Sequence, residues 1–197
     1  MRVVGGQWRG RPLKAPAGSG TRPSTDRMRE AVASMVASAR GLDLDGAWVL
    51  DAFCGSGALG LELVSRGAEG CVLVDRDRRA LACARDNVRS LGAGGCARCV
   101  LGDALACARA GRLGDRPFDV VLLDPPYRMD PGLSASLLGA LRERGLLAPG
   151  CLVVHERAAD AAPLEVDGLA ALRERPHGGS VVTLLEDRTG EEGTDAR

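Results

Sequence analysis

The chain has 197 residues, 45% apolar and 26% charged, with 26 basic residues balancing 26 acidic ones. One domain of this length buries about 70% of its unfolded surface, and the composition is that of an ordinary soluble protein. No run of eighteen apolar residues offers a membrane span, and Met1-Arg2-Val3-Val4-Gly5-Gly6 lacks the apolar core of a signal peptide, so a cytoplasmic protein is expected.

Residues 1–23 are rich in Gly, Pro and Arg, with short β-like pieces at 2–4 and 11–15, and read as a basic arm or hairpin carrying an exposed-looking Trp8. Up to residue 29 the basic side chains are Arg2, Arg9, Arg11, Lys14, Arg22, Arg27 and Arg29, against Asp26 alone, a local excess that suits phosphate. Thr25 is a candidate N-cap, with Asp26 favourable in the first turn. Met28, Ala31, Val32, Met35 and Val36 then share one face of a helix.

From residue 47 strands and helices alternate. Strand 48–52 precedes a helix at 58–66, and strand 71–75 a helix at 77–90. Strand 97–101 precedes a short helix at 104–110, strand 118–123 a helix at 134–145, and strand 151–155 follows Pro149-Gly150. Continuous apolar strands of this kind belong to parallel sheets covered on both faces. Residues 163–187 read as an antiparallel pair, and 188–197 as a disordered acidic tail. The expected fold is therefore a Rossmann-like, doubly wound α/β domain over 24–187, its seven-stranded sheet parallel apart from that C-terminal pair.

The seven cysteines, at 54, 71, 83, 96, 99, 107 and 151, are scattered and odd in number, which argues against a disulfide framework. Cys96-Ala97-Arg98-Cys99 has zinc-type spacing, but without a second pair or paired histidines it is read as small side chains near a strand, with no metal.

Gly55-Ser56-Gly57-Ala58-Leu59-Gly60 matches the dinucleotide fingerprint, and Asp75 stands at the end of the second strand, where a ribose-binding acid belongs. The loop alone fits either a nicotinamide or S-adenosylmethionine, since both need backbone close to the ligand. Asp51, at the end of the preceding strand, would repel a pyrophosphate but suits a ligand carrying an ammonium and a sulfonium. Asp103, after the third strand, could accept from an adenine amine. The expected cofactor is S-adenosylmethionine, held by Asp51, Phe53, Gly55, Ser56, Gly57, Asp75 and Asp103.

Asp124-Pro125-Pro126-Tyr127 ends the fourth strand. The prolines fix φ and remove two N–H groups, so an Asp124 oxygen and the Pro125 carbonyl can together accept both hydrogens of an exocyclic NH2. Tyr127 offers a ring face for stacking, worth roughly 1–3 kcal/mol in single-stranded nucleic-acid sites. Asp124, Pro125 and Tyr127 are the candidate catalytic residues, for methyl transfer to an amine on a planar group. Guanine N2, adenine N6, cytosine N4 and a glutamine amide all qualify.

Together with Arg2-Val3-Val4-Gly5-Gly6-Gln7-Trp8-Arg9-Gly10-Arg11, Thr21-Arg22-Pro23-Ser24-Thr25-Asp26-Arg27-Met28-Arg29-Glu30 and Phe53 to Glu62, these motifs resemble one bacterial family. It comprises the class I S-adenosylmethionine-dependent methyltransferases that form N2-methylguanine in 16S ribosomal RNA. The resemblance spans residue 2 to about residue 187 and implies 16S rRNA as substrate, within a partly assembled 30S particle; a monomer is expected. It implies that Thr21–Arg29 closes the cofactor site or guides RNA, that Arg9, Arg11, Arg22 and Arg27 hold phosphates, and that Trp8 either stacks on RNA or packs the hairpin. The sequence departs from the family at His177-Gly178-Gly179-Ser180, where Tyr-Gly, an acid and Thr are common, and His155 precedes the family-like Glu156. The other readings are a DNA amino-methyltransferase acting on adenine or cytosine, which lacks a recognition region here, and a noncatalytic RNA-binding assembly factor with the same fold.

Overall fold

Continuous apolar strands need helices over both faces of their sheet, and the fold supplies them. The computed structural model describes residues 1–16, 25–125, 130 and 132–189. In chain order its elements are α1 (Asp26–Ala39), β1 (Trp48–Asp51), α2 (Ala58–Ser65), β2 (Gly70–Asp75), α3 (Arg78–Leu91), β3 (Ala97–Leu101), α4 (Ala104–Arg109), β4 (Phe118–Leu123), α5 (Leu133–Glu143), β5 (Leu147–Ala158), β6 (Leu169–His177) and β7 (Ser180–Asp187). The strands form one seven-stranded sheet in the order β3-β2-β1-β4-β5-β7-β6. The first five are parallel, and β7 runs antiparallel to both β5 and β6.

Strand alternation divides the core. Val49, Leu73, Leu122, Leu152 and Val154 face α1, α2 and α3, packing with Val32, Leu61 and Leu81. Leu50, Val72, Val121, Leu123 and Val153 face α4 and α5, packing with Cys107, Leu137 and Leu141. The chain leaves β1 for β2 and β3 on one side and returns to β4 on the other, so the topological switch lies between β1 and β4. In open α/β sheets, ligands bind beyond the carboxyl ends of the strands at such a point.

Thr25 caps α1, its Oγ1 accepting from Met28 N at 3.1 Å. The buried stripe runs Met28, Arg29, Val32, Ala33, Met35 and Val36. Ala31, expected on that stripe, is only half-buried; Arg29 and Ala33 are turned inward instead.

The N-terminal arm is a hairpin closed by Val3 N to Arg11 O at 3.0 Å and Leu13 N to Met1 O at 2.9 Å, with one β-bridge between Arg2 and Pro12. Of the two readings of Trp8, hairpin packing is the one the structure supports, although the residue looked exposed in sequence. Trp8 is 9% exposed and belongs to the same core cluster as Val3, Leu13 and Leu61, which leaves its ring packing the hairpin and unavailable as a stacking platform. The hairpin is fixed by Glu62, fully buried in α2, whose carboxylate accepts from Val4 N and Gly5 N, each at 2.8 Å, and from Arg66 Nε at 2.8 Å. Ser65 adds two bonds, its Oγ accepting from Trp8 N at 3.0 Å and donating to Gly5 O at 2.6 Å.

Strand β5 is longer than the expected 151–155 at both ends. Phe118 pairs with Leu147 but Val120 with Leu152, so Ala148-Pro149-Gly150 forms a bulge inside the strand, with Gly150 at φ +69°. Pairing with β7 carries the other end to Ala158. The edge strand β6 shows Arg173, Glu174, Arg175 and Pro176 to solvent, which discourages further strand pairing. Arg188 and Thr189, in the tail expected to be disordered, are held in place: Arg188 N donates to Gly168 O at 2.8 Å and Thr189 N to Asp187 Oδ1 at 3.0 Å. The remainder of that tail lies outside the described residues.

Candidate active site

Asp51 ends β1 on the side of the sheet covered by α2. It is 5% exposed, and its Oδ2 accepts from Gly60 N at 3.0 Å. Burial pushes its carboxyl up to about 7, and the Asp75 charge adds to the rise. Gly60 is required for this contact, since a Cβ there would stand 2.7 Å from Leu73 Cδ2 and 3.2 Å from Asp51 Oδ2.

The loop between β1 and α2 turns through Gly55 at φ +53° and Gly57 at φ +74°. Both are left-handed conformations that strain other residues. A Cβ on Gly55 would meet nothing within 4 Å, so this backbone faces open space into which a ligand can come close. Asp75, at the end of β2, holds the loop: its Oδ2 accepts from Gly55 N at 2.8 Å and its Oδ1 from Asp77 N at 2.8 Å. Ser56 is buried and its carbonyl accepts from Asn87 Nδ2 at 2.9 Å, while Phe53 lies half-buried against the α4–α5 side of the core. Asp103 caps α4, its Oδ1 accepting from Ala106 N at 2.9 Å.

On the other side of the switch point, Asp124 is the first residue after β4 and Pro125 follows it half-buried. Pro126 and Tyr127 lie outside the described residues. Asp51 pairs with Leu122, and Leu122 with Val154. Continuing that register sets Asp124 and Glu156 side by side, one turn of the pleat beyond Asp51 and on the same face. Asp124 is open on the crevice side, but the protein packed behind it removes enough water to raise its carboxyl above the ordinary range. The charges of Glu156 and then Asp51 push the same way. Among the described residues no side chain or backbone N–H donates to the carboxylate of Asp124 or Glu156.

Next along β5, His155 is 8% exposed on the opposite face; burial, with Arg157 nearby, lowers it to about 4 and keeps it neutral. At the family's Tyr position, His177 Nε2 lies 3.1 Å from Thr25 Oγ1, tying the β6–β7 turn to the start of α1.

The basic N-terminal side chains divide. Arg9 and Arg27 are exposed. Arg11, also exposed, donates to the carbonyls of Ser90 and Leu91 at the end of α3, where the helix dipole favours a cation. Arg2 and Arg29 both pair with Asp26, at 3.2 and 2.6 Å, and Lys14 pairs with Asp86 at 2.7 Å. The charge excess counted along the sequence is therefore partly neutralised in the fold. Arg22 lies outside the described residues.

Asn87 and Glu62 escaped the sequence reading. Asn87 Oδ1 accepts from Lys14 N at 2.8 Å while its Nδ2 donates to Lys14 O at 3.0 Å and to Ser56 O, joining the arm to the glycine loop. The available signal was a polar residue on the buried stripe Ala80, Leu81, Ala84, Asn87, Val88 and Leu91 of α3. For Glu62 it was one acid inside the otherwise apolar α2.

A cationic nucleoside suits these residues better than a pyrophosphate. Two carboxylates, Asp51 and Asp75, stand close enough for one charge to act on the other, and the half-buried Gly55, whose missing Cβ would face open space, lies between them in sequence. Asp51, Asp75 and the Gly55–Gly57 backbone thus fit S-adenosylmethionine, with its ammonium, sulfonium and ribose hydroxyls.

Comparison with known proteins agrees. The family described as conserved hypothetical protein 95 matches residues 1–186. Ribosomal RNA small subunit methyltransferase D of Escherichia coli K12 is 36% identical over 197 residues, covering 100% of this chain and 94% of its own. Bacillus subtilis YlbH is 36% identical over 190 residues, covering 95% of this chain and 100% of its own. The solved structure of Escherichia coli yhhF superposes with a TM-score of 0.79 at 33% identity, over 95% of this chain and 98% of that one. The chain belongs to the conserved hypothetical protein 95 family and is an S-adenosylmethionine-dependent methyltransferase related to ribosomal RNA small subunit methyltransferase D.

Proposed function

We propose that the enzyme methylates the exocyclic N2 amine of a guanine in 16S rRNA, within a 30S assembly particle. The observation that carries this reading is the position of Asp124 at the carboxyl end of β4 beside the Asp51 crevice, with no side-chain partner among the described residues. The chain is also alike along its whole length to a relative named for small-subunit ribosomal RNA.

S-adenosylmethionine supplies a methyl group on a sulfonium, an electrophilic carbon that needs no metal. Asp51, Asp75, Asp103 and the loop Phe53, Gly55, Ser56 and Gly57 hold it, with Asp103 using the oxygen not engaged at Ala106 N. Asp124 and the Pro125 carbonyl accept the two N–H bonds of the target amine. This turns the nitrogen lone pair toward the methyl carbon and stabilises the positive charge that develops on nitrogen. Tyr127 stacks on the base. The N–C bond would form as the methyl–sulfur bond breaks to leave neutral S-adenosylhomocysteine. The proton would then pass from nitrogen to the Asp124 carboxylate, so positioning and electrostatics carry the rate and no strong base is needed. Turning a loop guanine into the crevice costs a few kcal/mol, least for an unpaired base. Arg9, Arg22 and Arg27, with the free N–H groups of Arg11, hold neighbouring phosphates.

The test supplies methyl-labelled S-adenosylmethionine with 30S particles, naked 16S rRNA or DNA, then digests each product to nucleosides. Label is expected in N2-methylguanosine from the ribosomal substrates. Label in N6-methyladenine or N4-methylcytosine from DNA would establish the competing amino-methyltransferase reading.

A further inference from the structure

An acceptor for an NH2 group does not choose among bases, yet the acceptor side of the crevice holds two carboxylates. Glu156 follows Val154 in strand alternation and so lies on the α1–α3 face of the sheet, as do Asp51 and Asp124. Its backbone pairs with Val182, a core residue of the same face, which fixes the height of Glu156 along the sheet. It is half-buried and, among the described residues, its carboxylate has no hydrogen-bond or ion-pair partner. Two neighbouring acids repel one another; the Asp124 carboxyl is raised first by burial and then by the charge of Glu156. A ligand that brings several N–H donors to this point removes that repulsion.

The bases differ in what flanks their amine. Adenine N6 lies beside N1 and cytosine N4 beside N3, both bare lone pairs, and a glutamine amide nitrogen lies beside its own carbonyl oxygen. Guanine alone carries a donor, N1–H, next to its N2 amine. We propose that Glu156 is the specificity-determining residue of the acceptor site, accepting guanine N1–H while Asp124 accepts from N2. This rests on the guanine-N2 reading above. A carboxylate set against adenine N1 or cytosine N3 would face a lone pair with no proton between, and sites with unpaired buried polar groups reject a substrate more strongly than a tight apolar pocket does. The sheet backbone holds Glu156 at a fixed offset from Asp124, and that offset makes it a gauge for the two adjacent donors.

The experiment uses 30S particles reconstituted on 16S rRNA ligated to carry guanine or 2-aminopurine at the nucleotide identified by nucleoside labelling. 2-Aminopurine keeps the N2 amine but presents N1 as a lone pair. The wild-type enzyme is expected to favour guanine by about a hundredfold or more in kcat/KM. In Glu156→Gln, whose amide can donate to N1, that ratio is expected to fall by at least about tenfold, with cofactor affinity unchanged. A purely structural role would slow both substrates together and leave the ratio intact, and an unchanged ratio overturns the proposal. Equal wild-type rates on the two RNAs overturn it without any variant. Should Glu156→Gln fail to fold, Glu156→Asp keeps an acceptor and must keep the preference for guanine. If the wild-type enzyme labels no guanine N2 at all, the failure belongs to the underlying reading and not to Glu156.

Discussion

The two sides of the crevice use the same side chains in opposite states. On the cofactor side Asp51, Asp75 and Asp103 each accept from backbone N–H groups, of Gly60, of Gly55 and Asp77, and of Ala106. On the acceptor side Asp124 and Glu156 accept from none among the described residues. Carboxylates pinned by backbone are oriented before the ligand arrives, so they bind without reorganising. On the proposed reading, carboxylates left without donors would be oriented by the base they take, and substrate N–H groups would supply the missing partners. On that reading one side of the site is finished by folding and the other would be finished by substrate.

The largest expected effect breaks the acceptor side. Asp124→Ala should lower methyl transfer to 30S particles by about a thousandfold, the scale seen when one electrostatic partner of a transition state is removed. A loss under about tenfold in single-turnover kinetics would mean that Asp124 does not touch the reacting amine.

The second prediction concerns the scaffold beneath the finished side. Glu62→Ala leaves the half-buried N–H groups of Val4 and Gly5 and the Nε of Arg66 without their acceptor, Arg66 keeping only Glu30, a loss of about 3–5 kcal/mol in denaturant unfolding. With Trp48→Phe as background, Trp8 emission should shift to the red as the hairpin loosens. Unchanged stability would show that the arm is an appendage and not part of the core.

The third uses pH. The Asp51 carboxyl lies at about 7 in the cofactor-free fold, above its unfolded value, so the folded chain holds that proton more tightly. Its contribution to cofactor-free stability is present at acid pH and is lost as pH rises toward about 7. A cationic cofactor needs the ionised form, so its affinity should fall by up to about tenfold per pH unit below 7. Calorimetric titration across pH 5 to 8 checks this, and Asp51→Asn should flatten the dependence. The smallest effect falls at the periphery: Arg9→Glu should weaken RNA binding uniformly and reduce its salt slope by about one.

The parallel sheet was legible because doubly covered strands must be apolar throughout, and the glycine loop because only glycine tolerates its turns. Asp51, Asp75 and Asp124 could be placed because strand ends in a doubly wound sheet converge on one crevice. Less legible was anything decided by contacts distant in sequence. Lys14 meets Asp86 and Arg11 meets the end of α3, so counting local charge overstated the free cations of the arm. The burial of Trp8 follows from Glu62 and Ser65 in α2, more than fifty residues away, and no local pattern around Trp8 reveals it. Residues 148–150 read as a turn before β5 because Pro-Gly usually ends an element; the bulge keeps both halves in one strand.

The division of the crevice is tested most directly by titrating S-adenosylmethionine into Asp51→Ala and Asp124→Ala and comparing each with the wild-type enzyme. Asp51→Ala should lose at least about tenfold in cofactor affinity, as expected for a charge-assisted contact, while Asp124→Ala should bind as wild type does despite its lost turnover. Equal losses of affinity in the two variants would contradict it.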